Sequence, residues 1–192
     1  MALLILGLIL FIGSHSLPMA TRQYAHLKHT YGEEKIKGFL GLFAMAGIAA
    51  MVYGYGMARD LSLDHVYSLH GPYTNIIAGL LMLPVFPLFA SAYLPGYIKK
   101  NTHHPMLLAV SLWSLAHLIV GGEPQAIALF GCFFLWSVID RISNNKRDKA
   151  AGRTEWAKGN VKNDFLAILI GLSIHVLFVV YLHEKLFGVP AM

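Results

Sequence analysis

An all-α bundle of about six membrane-crossing helices is the fold this sequence predicts, and three observations predict it. The 192-residue chain is 56% hydrophobic and only 13% charged, with a mean hydropathy of +0.57, whereas a water-soluble domain carries about 25% charged residues. Six apolar segments reach or approach the roughly 20 residues needed to cross a hydrocarbon core about 30 Å thick. Nearly all Lys and Arg residues fall in alternate connections between those segments, as they do in loops retained in the cytoplasm.

The first span is expected at 2–20. Its start, MALLILGLILFIG, lacks the basic n-region and small-x-small cleavage site of a signal peptide, so it is expected to stay attached. The connection TRQYAHLKHTYGEEKIK reads as a short amphipathic surface helix. The second span, 38–57, repeats Ala46, Ala50 and Gly54 at four-residue spacing, which allows close helix approach in lipid. In the third, 74–94, Pro84 and Pro87 predict a kink, because proline removes a helix hydrogen bond and frees carbonyls that need partners inside the bundle.

The fourth span, 105–122, opens on Pro105, a residue suited to a helix start. The fifth, 125–140, is short between Glu123-Pro124 and Asp140-Arg141, and crosses only if those flanks sit at the interfaces. Beyond it DRISNNKRDKAAGRTEWAKGNVKND is charged; a surface helix is expected in its middle, with Trp156 as interfacial anchor. The sixth span is expected at 165–183. The loops are too short to fold independently, so residues 1–192 read as one transmembrane domain.

Four basic residues lie in the first connection, two in the third and seven in the fifth, which leaves Arg59 and Lys185 on the opposite side. Both termini are therefore expected to be non-cytoplasmic. The same placement explains the pI of 9.3 by topology and contact with anionic membrane lipid, and excludes nucleic acid as the partner. A single cysteine, Cys132, and the absence of C-x-x-C-H exclude a disulfide framework and a covalent c-type haem.

Ten histidines are the remaining chemistry. His26, His29, His65, His70 and His183 fall in connections or at an interface and read as solvated. His15, His117 and His175 fall within spans, where an ionisable group is expensive and faces the bundle interior. A neutral imidazole there still needs partners for one donor and one acceptor. For any one of the three an interhelical hydrogen bond is sufficient; for the set, metal or haem ligation competes with it. On a straight helix His103 and His117 share a face, about 40° apart, whereas His104 points about 140° away from His117, at the cytoplasmic entry. There is no H-E-x-x-H, cysteine cluster, Walker A or G-x-G-x-x-G. Haem held by two histidines from different helices fits this inventory better.

The segment HPMLLAVSLWSLAHL from His104, the first-span stretch FIGSHSLPMATRQY with Arg22 seven residues after His15, and FGCFFLWSVIDR from Phe130 together resemble the NnrU family over most of the chain. That resemblance implies a membrane component linked to denitrification, through the expression or activity of nitrite and nitric oxide reductases. The family is also similar to the 15-cis-zeta-carotene isomerase of plants, a membrane enzyme whose haem b, ligated by two histidines, isomerises a C=C bond when reduced. Carried over, the resemblance implies His15 and His117 as metal ligands and His104 as a catalytic residue. The expected depths of His15 and His117 differ by about 13 Å, which keeps His175, near mid-depth, as a substitute cofactor ligand. A weaker likeness to isoprenylcysteine-type membrane methyltransferases lacks the paired glutamates those enzymes carry in the later loop.

The expectation is thus a bacterial inner-membrane protein of six spans that binds haem b and acts on a hydrophobic small-molecule substrate or serves nitrogen-oxide respiration. The rival expectation is a non-catalytic factor for assembly or maturation of a respiratory reductase partner, docking through its basic loops.

Overall fold

The computed structural model describes residues 1–61, 63–69, 71, 73–153 and 158–191. The described residues form helices and turns with no strand. The helices are α1 (Ala2–Ser16), α2 (Thr21–Tyr31), α3 (Glu33–Arg59), α4 (Thr74–Met82), α5 (Val85–Tyr93), α6 (Tyr97–Thr102), α7 (Pro105–Val120), α8 (Pro124–Ala150), α9 (Val161–Leu177) and α10 (His183–Phe187). A 3-10 turn, Leu17–Met19, extends α1, and a π segment, Phe178–Leu182, joins α9 to α10.

Five stretches are long and apolar enough to cross a membrane: Ala2–Met19, Glu33–Arg59, Thr74–Tyr93, Pro124–Ala150 and Val161–Phe187. The sixth, Pro105–Val120, has 16 residues, a length of about 24 Å. The short span is therefore the fourth and not the fifth. The reason is local: no glycine or proline interrupts the chain between Gly131 and Gly152, so α8 continues through the charged stretch from Arg141 to Ala150 instead of stopping at the interface. It ends where Gly152 takes a positive φ of 66°, the left-handed conformation that glycine tolerates best. No separate surface helix follows within 141–153, and Trp156 lies outside the described residues.

The chain divides into two compact units, residues 1–68 with 121–136 and residues 69–120 with 137–192. In the first, α1 packs along α3 with almost no side chain between them. A Cβ on Gly7 would stand 2.6 Å from the Met51 nitrogen, one on Gly47 would stand 2.8 Å from the Phe11 nitrogen, and one on Gly54 would collide with the Leu4 backbone. The buried stripe of α3 is Gly47, Met51, Gly54 and Ala58. The expected stripe is right at Gly54, but Ala46 is exposed and Ala50 only half-buried. Gly47 of α3 faces Gly7 of α1 and Gly54 faces the Leu4 backbone, because glycines allow the closest backbone approach. Further along, Val66 N–H donates to the Gly122 carbonyl at 2.8 Å and Tyr67 Oη to the Gly121 carbonyl at 2.8 Å. Any side chain at Gly122 would strike the Tyr67 carbonyl.

In the second unit the proline-bearing span breaks at Leu83-Pro84 into α4 and α5, as proline chemistry requires. Gly171 of α9 sits against the Phe86 and Pro87 backbone, with no room for a Cβ. Val85, Leu88 and Ala109 form the buried centre, with Phe89, Leu112 and Trp113 packed against it. Asp164 accepts from the Tyr97 and Ile98 backbone N–H groups at 2.8 and 2.9 Å and so caps α6, satisfying donors that a helix start leaves orphaned.

Candidate functional site

Each unit holds histidines in a distinct chemical setting. In the first unit His15, on the last turn of α1, stacks on Phe11 at 4.1 Å between ring centroids and meets Trp136 edge-on at 5.9 Å. Its Nδ1 lies 2.9 Å from the Phe11 carbonyl, four residues back. With the proton on Nδ1 the ring donates to that carbonyl, and Nε2 carries the lone pair. The neighbouring Trp136 Nε1 is buried with no hydrogen-bond partner.

In the second unit His117 repeats the arrangement. Its Nδ1 lies 2.8 Å from the carbonyl of Trp113, again four residues back, and the Trp113 ring lies 5.4 Å away. A backbone carbonyl that fixes the Nδ1 proton presents Nε2 as a lone pair in a set direction, the form of imidazole a metal ion binds. Sequence spacing places Trp113 and His117 on one face but does not reveal this bond. His175 differs. Its Nδ1 is buried without a partner, its ring meets Phe86 edge-on at 6.1 Å, and it lies one turn before the π segment. Such irregular turns are frequent at functional sites.

His103 and His104 are not part of α7, which begins at Pro105, so the helical-wheel comparison with His117 does not apply to them. His103 takes φ 62° and ψ −58°, the only positive φ outside glycine among the described residues and a conformation that costs an L residue energy. That turn delivers His104 to α8, where its Nε2–H donates to Asp148 Oδ2 at 3.0 Å. Asp148 Oδ1 faces Arg153 at 3.3 Å. Burial holds the His104 imidazole below its ordinary value, and outweighs the upward pull of the Asp148 carboxylate. Burial thus favours the neutral form of the imidazole in this contact, in which Nε2–H donates to the carboxylate.

His104 and His117 are separated by thirteen residues, about 20 Å along α7, so they serve different positions. Among the described residues no group of three or more His, Cys, Asp or Glu side chains is placed to hold a metal ion. His26 and His29 are exposed on α2, as expected. His65 is likewise exposed and sits 3.2 Å from Glu123, His183 donates from Nδ1 to the Val189 carbonyl at 2.9 Å, and His70 lies outside the described residues. Asp148 was not foreseen as a functional residue. The signal available for it was the unbroken helical run that carries Arg141, Asn145 and Asp148 on one face at spacings of four and three.

Apolar helices in this number, with His117 and His175 half-buried among them and His15 exposed, define an all-α, multi-span membrane protein. The chain belongs to the NnrU family: the model described as NnrU protein matches residues 3–191. Comparison with curated proteins and with solved structures returned no match.

Proposed function

We propose that this NnrU-family protein binds a b-type haem through histidine, and that His117 is the residue that would principally hold it. The observation that carries the reading is the Nδ1–H bond from His117 to the Trp113 carbonyl, which fixes the tautomer that offers Nε2 to iron. The donor chemistry fits: a haem needs two protein ligands at most, so no larger cluster is required. His175, in the same unit as His117 and with an unsatisfied buried nitrogen, would be a further ligand; His15, the ligand that the family resemblance implies, makes the same bond to its own fourth preceding carbonyl within its own unit. Bound iron would supply redox chemistry or polarisation of a substrate double bond.

The remaining residues act without it. The apolar spans hold a hydrophobic substrate and exclude water, and Trp113 and Phe86 wall the imidazoles. His104, held by Asp148, acts as the catalytic residue, taking up or releasing a proton at its basic entry. The cellular reading is a bacterial inner-membrane protein serving nitrogen-oxide respiration or a haem-dependent isomerisation of a polyene. In this topology the basic connections face the cytoplasm and both termini the other side.

Absorption spectroscopy of the protein purified in mild detergent from haem-replete cells tests the proposal. A sharp Soret band with resolved α and β bands on dithionite reduction is expected. A spectrum without them rejects haem and favours the reductase-assembly reading, in which the exposed Lys146 and Lys149 of α8 dock a partner.

A further inference from the structure

The connection between α6 and α7 is a single tight turn. The His104 N–H donates to the Thr102 carbonyl at 2.8 Å, and His103 between them takes φ 62° and ψ −58°. Those are the features of a γ-turn of the rare, strained hand, which an L residue keeps only where its surroundings over-determine it. Two contacts from α8 do so. A terminal nitrogen of Arg141 donates to the same Thr102 carbonyl at 3.2 Å, and Asp148 Oδ2 accepts from His104 Nε2 at 3.0 Å. Arg141 and Asp148 are seven residues apart on one unbroken helix, which puts them within about 20° of one face and about 10 Å apart along the axis. So α8 grips the turn on both sides of His103, by the carbonyl before it and by the imidazole after it.

Arg141 stands apart from its neighbours on this stretch. Arg147 lies 3.7 Å from Asp140 and Arg153 lies 3.3 Å from Asp148, whereas Arg141 makes no ion pair among the described residues and its Nε is buried without a hydrogen-bond partner. A half-buried guanidinium without a counter-charge costs stability, so ion-pair stabilisation does not account for it. What it does hold is the carbonyl on which the strained turn closes. A carbonyl oxygen has two lone pairs; the His104 N–H takes one and the guanidinium the other, in a bond that charge strengthens. Arg141 is also near enough to act on the imidazole itself: after burial, the charges of His103 and Arg141 favour the neutral form of His104 against the pull of Asp148.

We propose that Arg141 is a positioning residue for His104, acting through the Thr102 carbonyl to hold the γ-turn that presents His104 Nε2–H to Asp148. The inference rests on the reading of His104 as the residue that takes up or releases a proton. With Nε2–H committed to the carboxylate, Nδ1 is the basic nitrogen of that tautomer, and the guanidinium keeps the ring in the one orientation that allows it.

Imidazole nitrogen NMR of the full chain in detergent, isotope-labelled at histidine and with His104 assigned through His104→Gln, tests this at about pH 8, above the ordinary histidine value. The wild type is expected to hold His104 as the Nε2–H tautomer alone. Arg141→Gln should lose that single tautomer to a mixture while helicity by circular dichroism is retained, and Arg141→Lys, which keeps a donor for the carbonyl, should restore it in part. His103→Gly supplies a second background. Glycine takes a positive φ without strain, so the turn closes there without the guanidinium, and Arg141→Gln added to His103→Gly should keep the tautomer of the wild type. Arg141→Lys and the double variant carry the test where Arg141→Gln alone does not fold. An unchanged tautomer in Arg141→Gln, or the same mixture in the double variant, would overturn the role of Arg141 and leave that of His104 standing. A wild type without the Nε2–H tautomer would overturn both.

Discussion

Just before α7 and near its C-terminal end the chain carries the same side chain in opposite settings. Before it His104 reaches 44 residues along the chain to a carboxylate on α8; near its end His117 bonds only one turn back, to its own helix. The first contact couples the imidazole to charge and holds two helices together. The second couples it to nothing distant and fixes the direction of a lone pair. The histidine that precedes this apolar helix and the one within it are therefore not interchangeable: one is bonded to a distant carboxylate and the other to its own backbone.

Substitutions should separate the two roles, and the largest effect belongs to His117. His117→Ala is expected to abolish haem retention, with helicity by circular dichroism unchanged; retention of the cofactor would move the ligand role elsewhere. Next comes Asp148→Ala, which strips the partner from a largely buried imidazole. It should destabilise the protein by about 1–3 kcal/mol in thermal unfolding and leave any haem spectrum intact.

The pH response is smaller and has a definite sign. The folded pKa of His104 lies below the unfolded value, so its contribution to stability is complete above about pH 6.5. As pH falls below that, the unfolded chain takes up the proton first and stability declines until the folded pKa is passed. Imidazole NMR should find His104 more than half neutral at pH 6.5. Asp148→Asn, by removing the upward pull of the carboxylate, should lower its pKa further; a rise would contradict the burial argument. The smallest effect is expected from Arg153→Gln, whose side chain is 55% exposed. Its loss should change stability by less than about 1 kcal/mol.

Much of this architecture is legible in the chain. Apolar length fixes the spans, and Pro84 fixes the break between α4 and α5. The glycine stripe was misplaced because GLFAMAGIAAMVYGYGMA offers small residues at more than one offset, and only the partner helix, through the Gly7 and Phe11 backbone at Gly47 and the Leu4 backbone at Gly54, selects among them. The end of α8 was misplaced because charge was taken as a boundary, when helices stop at glycine and proline and not at polarity as such. At the site, His117 and its shared face with Trp113 followed from spacing. The His104–Asp148 contact did not, since a turn at positive φ and 44 residues of chain separate what the sequence shows from what the fold brings together. The Arg141–Thr102 contact was hidden for the same reason: it joins a side chain to a backbone carbonyl 39 residues away and has no signature in composition.

The most direct measurement is the reduced-minus-oxidised absorption spectrum of three proteins expressed side by side with ample haem: wild type, His117→Ala and His104→Ala. The account predicts Soret, α and β bands in the wild type and in His104→Ala, and their loss in His117→Ala alone. Bands that persist in His117→Ala, or that vanish in His104→Ala instead, would contradict the assignment of the two histidines.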